Sequence, residues 1–165
     1  AVIKFTLADN AKQYLAFMTP PSTEEIPLYT VWATDLLLSD SNNVTYKLYE
    51  DAVYTPGTEQ PVINQNRVLA ATKPNNTKLY PTPTDVDITG ATEIDLNATL
   101  GSQDPGFFGS GSGGSSSGIR FMVLKPDTKY IVEILNDGSG QTANIVFKST
   151  FLEALFPGLF AQVNP

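Results

Sequence analysis

The sequence predicts an all-β fold, an antiparallel β-sandwich of jelly-roll type. Three observations carry this prediction. Apolar residues recur with period two rather than 3.6, so successive side chains alternate between two faces, as on a half-buried strand. The alternating runs are short and rich in β-branched and aromatic residues. Clusters of Gly, Pro, Asn and Asp separate them, and many short strands with such turns suit a sandwich better than an α/β fold.

Along the chain, strands are expected at 2–7, 13–18, 28–38 and 44–50. In the last of these, Val44, Tyr46 and Leu48 share one face while Thr45, Lys47 and Tyr49 share the other. Trp32, within TVWATDLLL, is expected to fill the core; a sugar-binding platform of Trp32 and tyrosines is the alternative. Residues 53–89 are looser, because Pro56, Pro61, Pro74, Pro81 and Pro83 cannot donate ladder hydrogen bonds in a central strand. Long excursions with edge pairing are expected there, with strands at 77–80 and then 92–100.

Between Phe107-Phe108 and the next apolar run lies GSGSGGSSSG, Gly109 to Gly118. It satisfies G-x-G-x-x-G formally, but the dinucleotide mechanism needs a helix N-terminus after the glycines, and IRFMVLK reads as β. No Lys-Ser/Thr follows, so it is not a P-loop. Nor is it a linker, since the segment after it is too short to fold alone. It is expected to be a flexible loop inside one domain.

In 118–125, Ile119, Phe121 and Val123 oppose Arg120, Met122 and Leu124. Lys125-Pro126-Asp127-Thr128 reads as a type I turn, and Asn136 to Gly140 accepts positive φ. Strands 128–135 and 142–149 are therefore expected to form a hairpin, completing a three-stranded meander over 118–150. The end, FLEALFPGLFAQVNP, breaks the alternation. Phe151, Leu152, Leu155 and Phe156 repeat at helical spacing, predicting about one helical turn before Pro157 and Gly158 stop it. Leu159 and Phe160 add further apolar area. Two readings stay open: a lid on its own sandwich, or an arm that docks on a neighbouring subunit. The expected organisation is thus a sandwich over 1–150 and an apolar arm over 151–165.

Composition narrows function. The 165 residues include neither cysteine nor histidine, which removes Cys/His zinc sites and both Ser-His-Asp and Cys-His nucleophile systems. Net charge is −7, and the ten Lys and Arg residues are scattered, so nucleic acid and anionic membranes are not expected partners. The N-terminus has no signal-peptide pattern, and the expectation is a mature soluble chain. Three Asn-x-Thr triplets then read as chance. The carboxylate pairs Glu50-Asp51, Asp85/Asp87 and Glu93/Asp95 are the remaining catalytic currency. Next to turns, such pairs are more often solvated or bind a structural calcium than form an acid–base pair across a cleft. No catalytic residue, cofactor or metal is assigned.

The order of several segments resembles a family of small tailed-bacteriophage virion proteins, the capsid-decoration or cement-like proteins. Val44 to Asp51 (VTYKLYED), Gly57-Thr58 and Asn64-Gln65-Asn66-Arg67 stand in that order. Phe121 to Ile134 (FMVLKPDTKYIVEI) and a closing strand at Asn144 to Lys148 complete it, and Leu-Lys-Pro-Asp-Thr-Lys-Tyr is the most specific part. The loop here lacks the lysines common in that family, and the apolar C-terminal extension is atypical of it. The resemblance implies a non-enzymatic protein on the capsid exterior, a dimer or trimer bound to the major capsid protein and reinforcing the head. Its interface is expected at Phe107, Phe108, Phe151, Leu152, Leu155, Phe156, Leu159 and Phe160. The alternative is a carbohydrate- or receptor-binding module of a head fibre or tail.

Overall fold

Alternation becomes strand wherever the sequence shows it. In a computed structural model, β1 (Val2–Leu7) turns Ile3, Phe5 and Leu7 inward and Val2, Lys4 and Thr6 outward. There follow β2 (Lys12–Met18), β3 (Leu28–Leu38), β4 (Val44–Glu50), β5 (Val53–Thr55) and β6 (Lys78–Tyr80). The chain continues with β7 (Thr84–Asp87), β8 (Thr92–Leu100), β9 (Arg120–Leu124), β10 (Lys129–Asn136) and β11 (Ala143–Leu155). The structure describes residues 1–22, 28–38, 44–62, 76–100, 120–137 and 140–155. The Gly/Ser-rich stretch 109–118 lies outside them.

Two antiparallel sheets form the sandwich, one of four strands in the order β1-β11-β3-β9 and one of five in the order β6-β2-β10-β4-β8. Strands β5 and β7 pair separately. Outside the β4–β8 excursion every successive strand changes sheet, so the order is that of a double-sheet jelly roll. The expected fold class is the observed one, and the edge pairing expected near the prolines is made by β6 against β2.

The meander expected over 118–150 does not form. β9 pairs with β3, β10 with β2 and β4, and β11 with β1 and β3, so both turns cross between sheets. The physical reason lies in β10: Tyr130, Val132 and Ile134 are buried on one face and Ile131 and Glu133 on the other. A strand covered on both sides belongs at the centre of a sheet, with its ladder bonds given to β2 and β4. The 125–128 corner is also not type I, because Asp127 takes φ 48°, a left-handed value that type II places at that position. Asn10 and Asp51 likewise take positive φ at turns, and Asp85 does so inside β7 where its pairing with β5 is irregular, the conformation Asn and Asp tolerate best after Gly.

A second correction concerns the C-terminus. Helical spacing predicted a turn at 151–156, but β11 continues through Leu155, pairing Phe151 with Trp32 and Leu155 with Leu28. Phe151 and Glu153 point inward and Leu152 outward, and the long partner β3 supplies the ladder bonds that outweigh a short apolar spacing. Residues 156–165 lie outside the described residues.

The core sits between the sheets. Phe17 stacks on Tyr130 at 5.0 Å and packs tilted against Trp32 at 5.4 Å and Phe151 at 5.1 Å, uniting both layers in one aromatic cluster. Each such contact adds about 0.5–1.5 kcal/mol beyond its buried area. Trp32 is buried as expected, and its indole N–H donates to Ser149 Oγ at 2.6 Å. Glu153 ties the layers at one end by accepting from the Thr77 N–H and hydroxyl at 2.6 Å and from the Asn76 N–H at 3.1 Å.

Candidate interaction faces

The two most specific segments of the resemblance meet at one corner. VTYKLYED contributes Glu50 at the end of β4; LKPDTKY contributes Lys125 and Tyr130 on either side of the turn into β10. Lys125 Nζ donates to Glu50 Oε1 at 2.5 Å, and the Tyr130 hydroxyl donates to Oε2 at 3.1 Å while accepting from the Lys125 N–H at 2.9 Å. Thr19 latches the same turn, its hydroxyl donating to the Lys125 carbonyl at 2.7 Å and accepting from the Thr128 N–H at 3.0 Å. Burial, with the nearby Glu50 charge, pushes the Tyr130 phenol well above its usual range, and the hydrogen bond to Glu50 raises Lys125. This motif pair braces the turn by which the chain crosses from the four-stranded to the five-stranded sheet.

The other carboxylates considered from sequence are placed similarly. Asp51 and Asp85 are exposed at left-handed positions, Asp85 within β7, and Asp87 accepts from the Thr89 N–H, a bond that lowers its pKa. Glu93 pairs with Lys47 at 3.1 Å. The Asp95 side chain lies outside the described residues. Among the described residues, no three Asp, Glu, His or Cys side chains gather where a metal ion could be held.

The outer face of the five-stranded sheet is largely occupied by its own chain. Ala16, Ile131, Tyr49 and Tyr80 pack there beneath Ala52 and Tyr54, with Val86, Ile88 and Ala91 beside them. Tyr54 closes the cover: its ring lies against Tyr80, and its hydroxyl donates to the Phe17 carbonyl at 3.2 Å. Gly57 permits this cover, since a Cβ there would overlap the Thr82 carbonyl. Further along, Glu133 is buried in the sheet and accepts from Lys12 Nζ and from the Tyr14 hydroxyl, both at 3.0 Å. Burial, and then the bond to Glu133, push the Tyr14 phenol up to about 12.

The outer face of the four-stranded sheet differs. Among the described residues the exposed large hydrophobics are Val2 (56%), Val53 (62%), Val123 (50%) and Leu152 (56%). All but Val53 lie on this one face. Leu152 pairs with Val31, and Val31 with Val123, making an apolar row across three strands. Ala33 and Thr150 follow one pleat along, and Lys148, paired with Val2 and Asp35, lies one pleat further on the same face.

Of the interface residues expected from sequence, only Leu152 is seen on this face. Phe151 is a core residue, a correction caused by the continuation of β11, and Leu155 ends that strand. Phe107, Phe108, Phe156, Leu159 and Phe160 lie outside the described residues. Val31 and Val123 were not foreseen, although apolar residues on both faces of RFMVL and TVWA already signalled a second buried surface. No protein-family model, curated protein or solved structure matches the chain.

Proposed function

We propose that this chain is a non-enzymatic virion structural protein, a capsid decoration or cement protein that binds the major capsid lattice from outside and stabilises the head. The observation that supports this best is the apolar row Leu152–Val31–Val123 on the outer face of the four-stranded sheet, left open among the described residues, while the outer face of the other sheet is largely covered by the chain itself. Neighbouring exposed apolar side chains on a broad sheet face suit a protein contact. The resemblance of VTYKLYED and LKPDTKY to phage decoration proteins supplies the lattice as the assembly. Jelly rolls also serve lectins and cupins, so fold alone does not choose. Repetition over a symmetric shell makes weak individual contacts sufficient.

The test is to add purified chain to heads assembled without it and measure co-sedimentation and resistance to heat. Saturable binding with raised head stability is the expected result; heads that neither bind it nor gain stability overturn the reading. A second reading, a carbohydrate-binding module, draws on the row of Lys12, Tyr14 and Glu133 beside the covered region. Trp32 is too buried to serve it. Glycan binding abolished by Glu133→Gln would favour that reading.

A further inference from the structure

We infer that residues 160–164 return along the side of β11 that β1 leaves open, forming a further edge strand in line with β1. The inference goes beyond the decoration reading and stands whether or not the protein binds heads.

The open side follows from the hydrogen bonds beside β1. The Ala1 ammonium donates to the Ser149 carbonyl at 2.6 Å, and the Ser149 N–H donates to the Ala1 carbonyl at 3.0 Å. In an antiparallel ladder such doubly bonded positions alternate, so the odd-numbered residues of β11 face β1 and the even-numbered ones face β3. Bonding to the β1 side reaches no further than Ser149, whereas β11 runs on to Leu155 in unbroken register with β3. The N–H and C=O groups of Phe151, Glu153 and Leu155 therefore point to a side where no described strand pairs. An open ladder of this kind is a template for an extended segment.

The chain's own continuation suits it in position, reach and pattern. Pro157 lacks the N–H that the next ladder position would need, and with Gly158 it makes 156–159 a type II turn sequence, Pro second and Gly third. Parity then sets the register. A four-residue loop over 156–159 places Phe160 opposite Leu155, Gln162 opposite Glu153 and Asn164 opposite Phe151. Each open pair of backbone groups then meets a residue that can both donate and accept. Pro165 falls opposite Thr150, where its missing N–H would point away from β11. The short tether holds the segment beside the slot at an effective concentration on the order of millimolar, ahead of a free partner. The tail is thus neither lid nor arm, and Val163, opposite Leu152, widens the apolar row by one strand.

The absence of cysteine makes the register testable in the full chain. In this register Leu152 and Val163 form a non-hydrogen-bonded pair with Cα atoms about 4.5 Å apart, inside the disulfide range. Leu152→Cys with Val163→Cys should oxidise in glutathione buffer to a disulfide within one chain. Leu152→Cys with Ala161→Cys, a diagonal pair about 7–8 Å apart, should oxidise at least about 10-fold more slowly. Equal rates for the two pairs, or disulfides that join two chains, overturn the inference. Amide exchange gives an independent measure. Removing 156–165 should speed exchange at the Glu153 N–H about 100-fold, while that at Leu152, bonded to β3, stays unchanged. A Glu153 rate unaltered by the removal means that another segment fills the slot, and also overturns the inference. If the shortened chain fails to fold, the cysteine pairs decide alone.

Discussion

The two outer faces of the sandwich have been treated in opposite ways by the same chain. Over the five-stranded sheet, the excursion between β4 and β8 lays Ala52, Tyr54, Val86 and Ile88 on apolar residues, and Glu133 with Lys12 and Tyr14 continues the surface in polar form. Over the four-stranded sheet Val123 and Leu152 stand exposed among the described residues, with Val31 partly exposed between them. The proline-rich excursion buries one face, while among the described residues Val123 and Leu152 stay exposed on the other, and the proposed contact lies on that second face.

The comparison breaks hardest at Tyr54. Tyr54→Ala removes a buried ring and a buried hydroxyl bonded to the Phe17 carbonyl, and should cost about 4 kcal/mol, in the range of large aromatic truncations. Urea unfolding measures it. A loss under about 1 kcal/mol would mean that the cover is ornamental and the two faces are alike.

A smaller contrast lies within one strand. Phe151 and Leu152 are neighbours on β11, one against Phe17 in the core and one facing out. Phe151→Ala should cost about 3 kcal/mol, below the full aromatic value because the ring is near the end of the sandwich. Leu152→Ala should change monomer stability by less than about 0.5 kcal/mol. For the same reason, removing residues 151–165 is expected to damage the fold through Phe151 and Glu153. Removing only 156–165 leaves β11 whole.

These residues also show how far the sequence could be read. Period two placed β1 to β4, β8, β9, β10 and the start of β11 to within a residue or two, because alternation is a local property of each run; the end of β11 lies six residues beyond the expected one. Sheet membership was not legible. Lys125-Pro126-Asp127-Thr128 says that the chain reverses, but not that β10 leaves for the other layer; the near-continuous apolar run Tyr130 to Leu135 was the available sign. β5 and β7 were hidden among prolines, as short pairs stabilised by what they cover rather than by their own pattern. The spacing of Phe151, Leu152 and Leu155 fits a helix and a two-faced strand equally over so few residues, and only pairing with β3 decides. The contact face depended on that same decision, since Leu152 joins Val31 and Val123 only if β11 runs on.

The mildest way to sharpen the contrast uses alkali. Burial and the Glu133 carboxylate raise the Tyr14 phenol from an ordinary 10.0 to about 12, and burial raises Tyr49, Tyr54 and Tyr130 in the same direction. Between those values the unfolded chain has released a proton that the folded chain keeps. Raising the pH therefore favours unfolding: the contribution is fully present below about pH 10 and is lost as pH climbs through the folded value. Urea midpoints should thus fall from about pH 9 to about pH 11.5. Tyr14→Phe should make that fall shallower, because one of the raised phenols is gone. Leu152→Ala, on a face with no phenol among its described side chains, should leave the slope unaltered. Equal slopes for Tyr14→Phe and wild type would mean that the Tyr14–Glu133 bond does not persist in solution, and the polar half of the covered face would then be as available to partners as the bare one.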